Sequence, residues 1–341
     1  MRRIAAFFLV VSALTCGSAR AADADARVKQ KLYVTNSMGD DVTVVDVATN
    51  KVIGRIEVGL HPHGIAVPAK QDVVYVTIEG KEPGELVAID PRTDKITRRM
   101  DVGPEPNQLA VTPDGKFAYV PAKDGFWDVV DLEKFKVLKR IETGGRPHNT
   151  LCSADGKRMF LAPMGSPKKV FIADVDAHKI VAEIPFSNVV RPIALSKDEK
   201  RLYAEVDGLV GLEVADVGAH KMIHRIEAEL TDEQKKVGSR SHGLAIRPDQ
   251  KEIWECDVEH FVVHVYDITG DKPKQIKTLP MDHRVYWLTF SPDGKKAYIA
   301  VRGKDQVAVV DTETKETTDR ITVGKEPKRL LIVTPPEQGN K

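Results

Sequence analysis

Cysteine is almost absent from this chain of 341 residues: there are three, and only Cys152 and Cys256 lie beyond residue 21. Two cysteines cannot make the disulfide framework of a small secreted scaffold. An excess of one charge is also missing. Lys plus Arg is 51 against 50 Asp plus Glu, so nothing basic points to nucleic acid and no acidic tail suggests a disordered arm. Glycine (24) and proline (20) are too few for a collagen-like or low-complexity chain. There is no Gly-x-Ser-x-Gly elbow, no phosphate loop and no haem-attachment Cys-x-x-Cys-His. No long helical period appears, and past the N-terminus no apolar run approaches membrane length.

The exception is the start of the chain. Arg2 and Arg3 precede an apolar run from Ile4 to Leu14, and Ala19-Arg20-Ala21 comes next as a small-x-small cleavage pattern. This reads as a secretory signal peptide over residues 1–21, cleaved near Ala21. The run is too short for a membrane span. Ala13-Leu14-Thr15 before Cys16 is a poor lipid-attachment box. The expected product is exported, periplasmic or secreted, and slightly acidic, because Arg2, Arg3 and Arg20 leave with the leader. A short linker is expected at 22–30, one repeat domain at 31–335 and a tail at 336–341.

Two landmarks recur. An aromatic opens a β-rich run at Tyr33, Tyr75, Tyr119, Phe160, Tyr203, Trp254 and Tyr298, and an Asp closes the next run at Asp46, Asp90, Asp131, Asp174, Asp216, Asp267 and Asp311. Both series step by 41 to 44 residues, with one step of 51. Such a period marks a solenoid, propeller or array. Each unit reads as four short strands rich in Val, Ile, Thr and Tyr, punctuated by Gly, Pro, Asn and Asp. Pro-Asp-Gly at 113–115 and 292–294 supplies hairpin turns. Seven units of four antiparallel strands predict an all-β, seven-bladed propeller, a closed ring that leaves only short sheet edges. A continuous period argues against two β-sandwiches. The final strand, near Arg329 to Thr334, should complete the blade at which the chain begins. With no edge left to pair, a monomer is the default.

The segments YVTN (33–36), VTVVD (42–46), VGLHPHGIAV (58–67) and VGPEPNQLAVTPDGKFAYV (102–120) resemble YVTN-type β-propeller repeats. These occur in surface-layer-like and periplasmic propeller proteins. The resemblance covers essentially the whole chain beyond the leader, strongest in the first three repeats and the last. It implies the propeller fold and leaves function open, because the same blade serves binding proteins, haem and copper enzymes, and lactonases. The long fifth-blade loop and HRVYWLTFSPDGKKAYIA (283–300) also resemble propellers found beside quinoprotein dehydrogenase systems, which implies such a system as a partner class.

In such a fold the innermost strand of each blade lines the central channel, and its first residue looks into one mouth. Aligned on their apolar cores, the seven inner strands give His63, Asn107, His148, Arg191, His242, Tyr286 and Lys328. None is aliphatic. Two residues earlier stand His61, Glu105, Arg146, Arg240, Arg284 and Glu326, and the loops after the second strands add Glu79, Asp124, Met164, Asp207, Asp257, Glu259 and His260. Three readings compete. The ring lines a wet channel; or His63, His148 and His242, with Met164 or His260, hold a transition metal such as copper; or Asn107, Arg191, Tyr286, Lys328, Arg240 and Arg284 receive an anionic small molecule. No His-x-x-x-His or paired-Cys spacing supports metal directly.

Smaller features have two readings each. The insertion Glu229 to Arg240 carries Thr231 and Gln234 as a capping box, which predicts a short helix near Asp232. It is a lid beside His242 or a plain surface excursion. Cys256 and His260 lie in the densest ligand-type cluster, which is a metal site or packing. Cys152 reads as core, and a bridge to Cys256 would exceed disulfide reach. His178, His220 and His224 read as solvated surface, and the strand-end Asp residues as turn chemistry.

Three functions remain. The first is an exported binding or scaffold protein that takes a small molecule or protein partner at the channel mouth. The second is a metal- or haem-dependent periplasmic oxidoreductase at the same His ring. The third is a lactonase-like hydrolase, although that ring contains no acid.

Overall fold

The computed structural model describes residues 29–337. The leader, most of the linker and the end of the tail lie outside the described residues. There are 28 strands, β1 (Lys31–Asn36) to β28 (Pro327–Val333), arranged as seven four-stranded antiparallel sheets. Among the described residues, only two short 3-10 turns interrupt them, Gln234–Lys236 and Arg302–Lys304. No helix among the described residues is long and apolar enough to cross a membrane.

Blades 1 to 6 are consecutive groups of four strands from β4 (Pro62–Ala66) to β27 (Thr317–Thr322). Blade 7 is built from both ends of the chain, in the order β28-β1-β2-β3, with β2 at Asp41–Asp46 and β3 at Lys51–Glu57. β28 pairs antiparallel with β1, Lys31 opposite Val333 and Val34 opposite Leu330. The ring is thus closed by hydrogen bonds between the first and last strands.

The core explains why seven repeats make one body. It consists of seven apolar clusters, each shared by two neighbouring blades. Alternation along a strand sends successive side chains to the two opposite neighbours. Leu32 and Val34 pack towards blade 6, while Tyr33 packs towards blade 1. No blade holds a core of its own, which is the physics of repeat arrays.

The recurring Asp residues are turn chemistry, as their position suggests. Asp46 accepts a hydrogen bond from the Ala48 amide at 2.9 Å, and Asp311 accepts one from Glu313 at 2.9 Å. Four residues after the Asp, the outer turn usually holds a left-handed residue: Asn50 (φ 55), Asp94 (56), Phe135 (54), His178 (46), His220 (51) and Lys315 (63). His220 is exposed there as expected. His178 corrects its reading as solvated surface. Its ring is buried edge-on to Phe117 at 4.6 Å between centroids, with Nδ1 2.8 Å from the Tyr119 hydroxyl. His224 is half-buried beside Asp271.

Candidate functional site at the channel mouth

The seven ring residues meet in one cavity of about 190 Å³ at one mouth of the channel, six of them one or two positions inside their inner strands and Asn107 just ahead of the short strand Ala110–Val111. Glu79, Arg146, Met164 and Arg240 complete its wall. Inner strands crowd near the axis, and glycine after two of the ring histidines permits it. A Cβ on Gly64 would lie 2.4 Å from the Asn107 carbonyl, and one on Gly243 would lie 2.7 Å from the Tyr286 carbonyl.

The cavity is a cup and does not continue through the channel. The residues after the ring include Trp287 and Arg329, and the Arg329 guanidinium lies over the Trp287 ring at 3.4 Å. Its Nη2 donates to Asn149 Oδ1 across the axis at 3.0 Å, while Nε and Nη1 have no partner. Burial works against its charge, yet a guanidinium keeps its proton in proteins. Beyond this plug lies a separate, mainly apolar cavity of about 440 Å³ with Trp287 in its wall. The channel therefore has a polar mouth and an apolar mouth, divided by one cation–π pair.

The histidines pack as a train. The rings of His63 and His148 are edge-on at 6.3 Å, those of His148 and His242 edge-on at 5.7 Å, and His242 stacks on Tyr286 at 3.9 Å. Burial, followed by the nearby cations, holds all three imidazoles well below their ordinary pKa. They are neutral at pH 7. His63 Nδ1 bonds the Glu79 carboxylate, and the Asn107 amide donates to the same carboxylate at 3.0 Å. Burial raises the Glu79 pKa. Lys328 Nζ lies 3.4 Å from His63 Nδ1. Burial pushes Lys328 down to about 7, with Glu79 opposing the shift. Arg191 is held by Asp207 and donates towards Met164 Sδ at 3.3 Å. His63 Nε2 and His242 Nδ1 are buried without partners.

Among the described residues, no three His, Cys, Asp or Glu side chains are gathered to hold one metal ion. The ring histidines face one another's edges and do not converge on a common centre. His260 corrects its placing as an extra ligand. Its Nδ1 lies 2.7 Å from Asp257 Oδ2, and its Nε2 lies 2.9 Å from the carbonyls of Gln234 and Val237. Cys256 points elsewhere, into the apolar cluster between blades 5 and 6, and burial raises its thiol well above the ordinary value. The structure does not turn the two side chains towards each other. A cup of about 190 Å³ is also below the roughly 300–1,000 Å³ of pockets for drug-sized ligands.

Other expectations divide. Arg240 lines the cup, but Arg284 does not; it is exposed and pairs with Glu259 at 3.1 Å. Asp124 is tied outwards to Arg140. The insertion has its capping box, with the Gln234 amide on Thr231 Oγ1 at 3.2 Å and the Thr231 amide on Gln234 Oε1 at 2.9 Å. The box opens onto a single 3-10 turn, Gln234–Lys236, shorter than the helix it predicts. Of the insertion, only Arg240 reaches the cup wall. Cys152 is half-buried at the apolar mouth, and both cysteines are free. Sequence reasoning missed the Arg329–Trp287 plug and also Glu205, a fully buried acid without partners. Glu205 had a signal: it stands two after Tyr203, where the equivalent residues after Tyr33 and Tyr75 are Thr35 and Thr77.

No protein-family model matches the sequence, and no curated protein does. Solved structures do resemble the fold. The periplasmic gluconolactonase PpgL of Pseudomonas aeruginosa is 18% identical, with a TM-score of 0.75 over 90% of this chain and 99% of its own. The hydrazine synthase of Kuenenia stuttgartiensis is 20% identical, with a TM-score of 0.70 over 80% and 95%. The dihydro-heme d1 dehydrogenase NirN is 15% identical, with a TM-score of 0.64 over 89% and 75%. Three unlike chemistries share this architecture, so the likeness shows the seven-bladed propeller fold and nothing of the chemistry.

Proposed function

We propose that this chain is an exported YVTN-type propeller that binds a small anionic molecule in the cup, as a periplasmic binding protein acting alone or beside a redox partner system. The observation that carries this reading is the charge of the wall. Arg146, Arg191, Arg240 and Lys328 line the cup with one carboxylate, Glu79; Arg146 also pairs with Glu105 and Arg191 with Asp207 outside the lining, while His63 Nε2 and His242 Nδ1 are left without partners. Buried ring nitrogens left without partners are costly unless something satisfies them. A carboxylate or phosphate pairs with the cations and accepts from His242 in its Nδ1–H tautomer.

The Lys328 pKa of about 7 gives the reading a pH signature. An anion beside Lys328 favours its charged form, so binding takes up a proton. Affinity is fully expressed below pH 7 and falls as the pH rises through it, by roughly tenfold between pH 6 and pH 8 if Lys328 dominates. Calorimetry of the chain from residue 22 with acetate, hexanoate and inorganic phosphate tests this. Sub-millimolar binding of at least one anion that weakens with pH, and is lost in Lys328→Gln, supports the proposal. Absence of binding by all three at millimolar concentration contradicts it. The His63–Glu79 pair, with Nε2 free, is the one observation favouring the hydrolase reading. Turnover of a lactone or ester in the same cup would move the function from binding to hydrolysis.

A further inference from the structure

Beside the cup lies a second cavity of about 270 Å³. The two share Arg240 and Tyr286 as a common wall. This annex also carries a net positive wall: Arg284 pairs with Glu259 at 3.1 Å and Arg302 with Glu326 at 2.6 Å, while Arg240 has no carboxylate partner among the described residues. It too has unsatisfied polar atoms, His283 Nδ1 and Arg302 Nε. Its floor is shaped closely. His283 stacks on Phe261 at 5.3 Å, and a Cβ on Gly303 would come within 2.0 Å of the His283 ring. The dividing Tyr286 ring has Arg302 on the annex side at 4.7 Å and Lys328 of the cup at 5.7 Å.

We infer that cup and annex form one bipartite site, and that its ligand is an elongated small molecule with an acidic group at each end. One acid sits among Lys328, Arg191 and the ring histidines. The other sits among Arg240, Arg284 and Arg302. The segment between them crosses the edge of Tyr286. This rests on the proposed anion-binding function and narrows its ligand class. A single small anion fills the cup and leaves Arg240 on the annex side, Arg302 Nε and His283 Nδ1 unanswered. Two acids joined by a short linker answer both, because the second group binds at the effective concentration set by the first.

Matched mono- and dicarboxylates of four, six and eight carbons, titrated calorimetrically into the chain from residue 22, test it. The expected result is that one dicarboxylate length binds at least tenfold more tightly than the monocarboxylate of equal length. Arg284→Gln is expected to remove that advantage; its exposed side chain makes it a safe change for folding. Arg302→Gln is expected to do the same through the annex interior. Equal affinity of the two series at every length, or an advantage that survives both variants, overturns the bipartite site while leaving the cup as an anion site. Failure of both series to bind, with inorganic phosphate failing as well, overturns the anion reading itself.

Discussion

Glu205 shows how a single side chain can oppose the fold that holds it. It is fully buried, neither oxygen has a partner, and burial followed by the neighbouring Glu255 raises its pKa well above the carboxylate range. At the equivalent positions Thr35 and Thr77 donate to the carbonyls of His63 and Asn107 at 2.9 Å, knitting adjacent inner strands together. Glu205 replaces that stitch with a protonated acid. Its folded pKa lies above its unfolded value, so folding must protonate it at any pH above about 4.3. The penalty is absent below that pH and grows as the pH rises towards the folded pKa. Glu205→Met, similar in length and apolar, is expected to stabilise the protein by about 1–3 kcal/mol at pH 7, and by less at pH 4. Urea unfolding at both pH values checks this; an equal or opposite effect at pH 7 would contradict it. The seven cup residues were legible because the apolar alternation of each inner strand fixes its register, and register fixes which residue looks into the mouth. The Arg329–Trp287 plug was not legible. Two neighbouring side chains of different strands had to turn onto each other across the axis, and no spacing within one strand encodes that.

The insertion between β19 (Lys221–Glu227) and β20 (Ser241–Ile246) shows the same limit for an element. Its capping box is local and could be read from Thr231 and Gln234. Its anchor is not local. His260 holds it from the neighbouring loop, with Asp257 on one ring nitrogen and two backbone carbonyls on the other. All these partners are acceptors, so the cluster favours the imidazolium, in which both nitrogens donate. Burial opposes that charge, but the Asp257 hydrogen bond and the carbonyls outweigh it and raise the pKa. His264, also on Asp257, and Ser239 complete the cluster. Because the folded pKa is raised, the latch is fully present below the ordinary histidine value and lost as the pH climbs through the folded one. His260→Gln keeps one donor and loses the other. It is expected to weaken hydrogen-exchange protection over 230–240 at pH 6 by about 1–2 kcal/mol, with the rest of the ring unchanged. Unaltered protection in that segment would remove His260 from this role.

At the scale of the whole molecule, closure governs. Every apolar cluster joins two blades, so losing a blade's inner strand disturbs two of them at once: β28 gives Leu330 and Ile332 to one cluster and Val333 to the other. β28 is the last strand to exist and the one that closes the circle against β1. Deleting residues 326–341 removes it together with the Lys328 and Arg329 positions. The truncated chain is expected to lose its single cooperative thermal transition and to associate through the bared β1 edge. A monomer with an unchanged melting temperature would contradict this. The seven-fold period was legible across the chain because each repeat restates the same aromatic, Asp and turn residues. Function was harder to read, because it sits in the one layer where the repeats differ. There the closed ring sets three neutral histidines and an excess of cations around one cup, sealed from an apolar mouth by Arg329 on Trp287. The most direct test of that arrangement is a calorimetric titration of the chain from residue 22 with small carboxylates and phosphate at pH 6 and pH 8. Proton-coupled binding, stronger at pH 6 and lost in Lys328→Gln, is the expected result. No binding at either pH, or binding indifferent to both pH and Lys328, would contradict it.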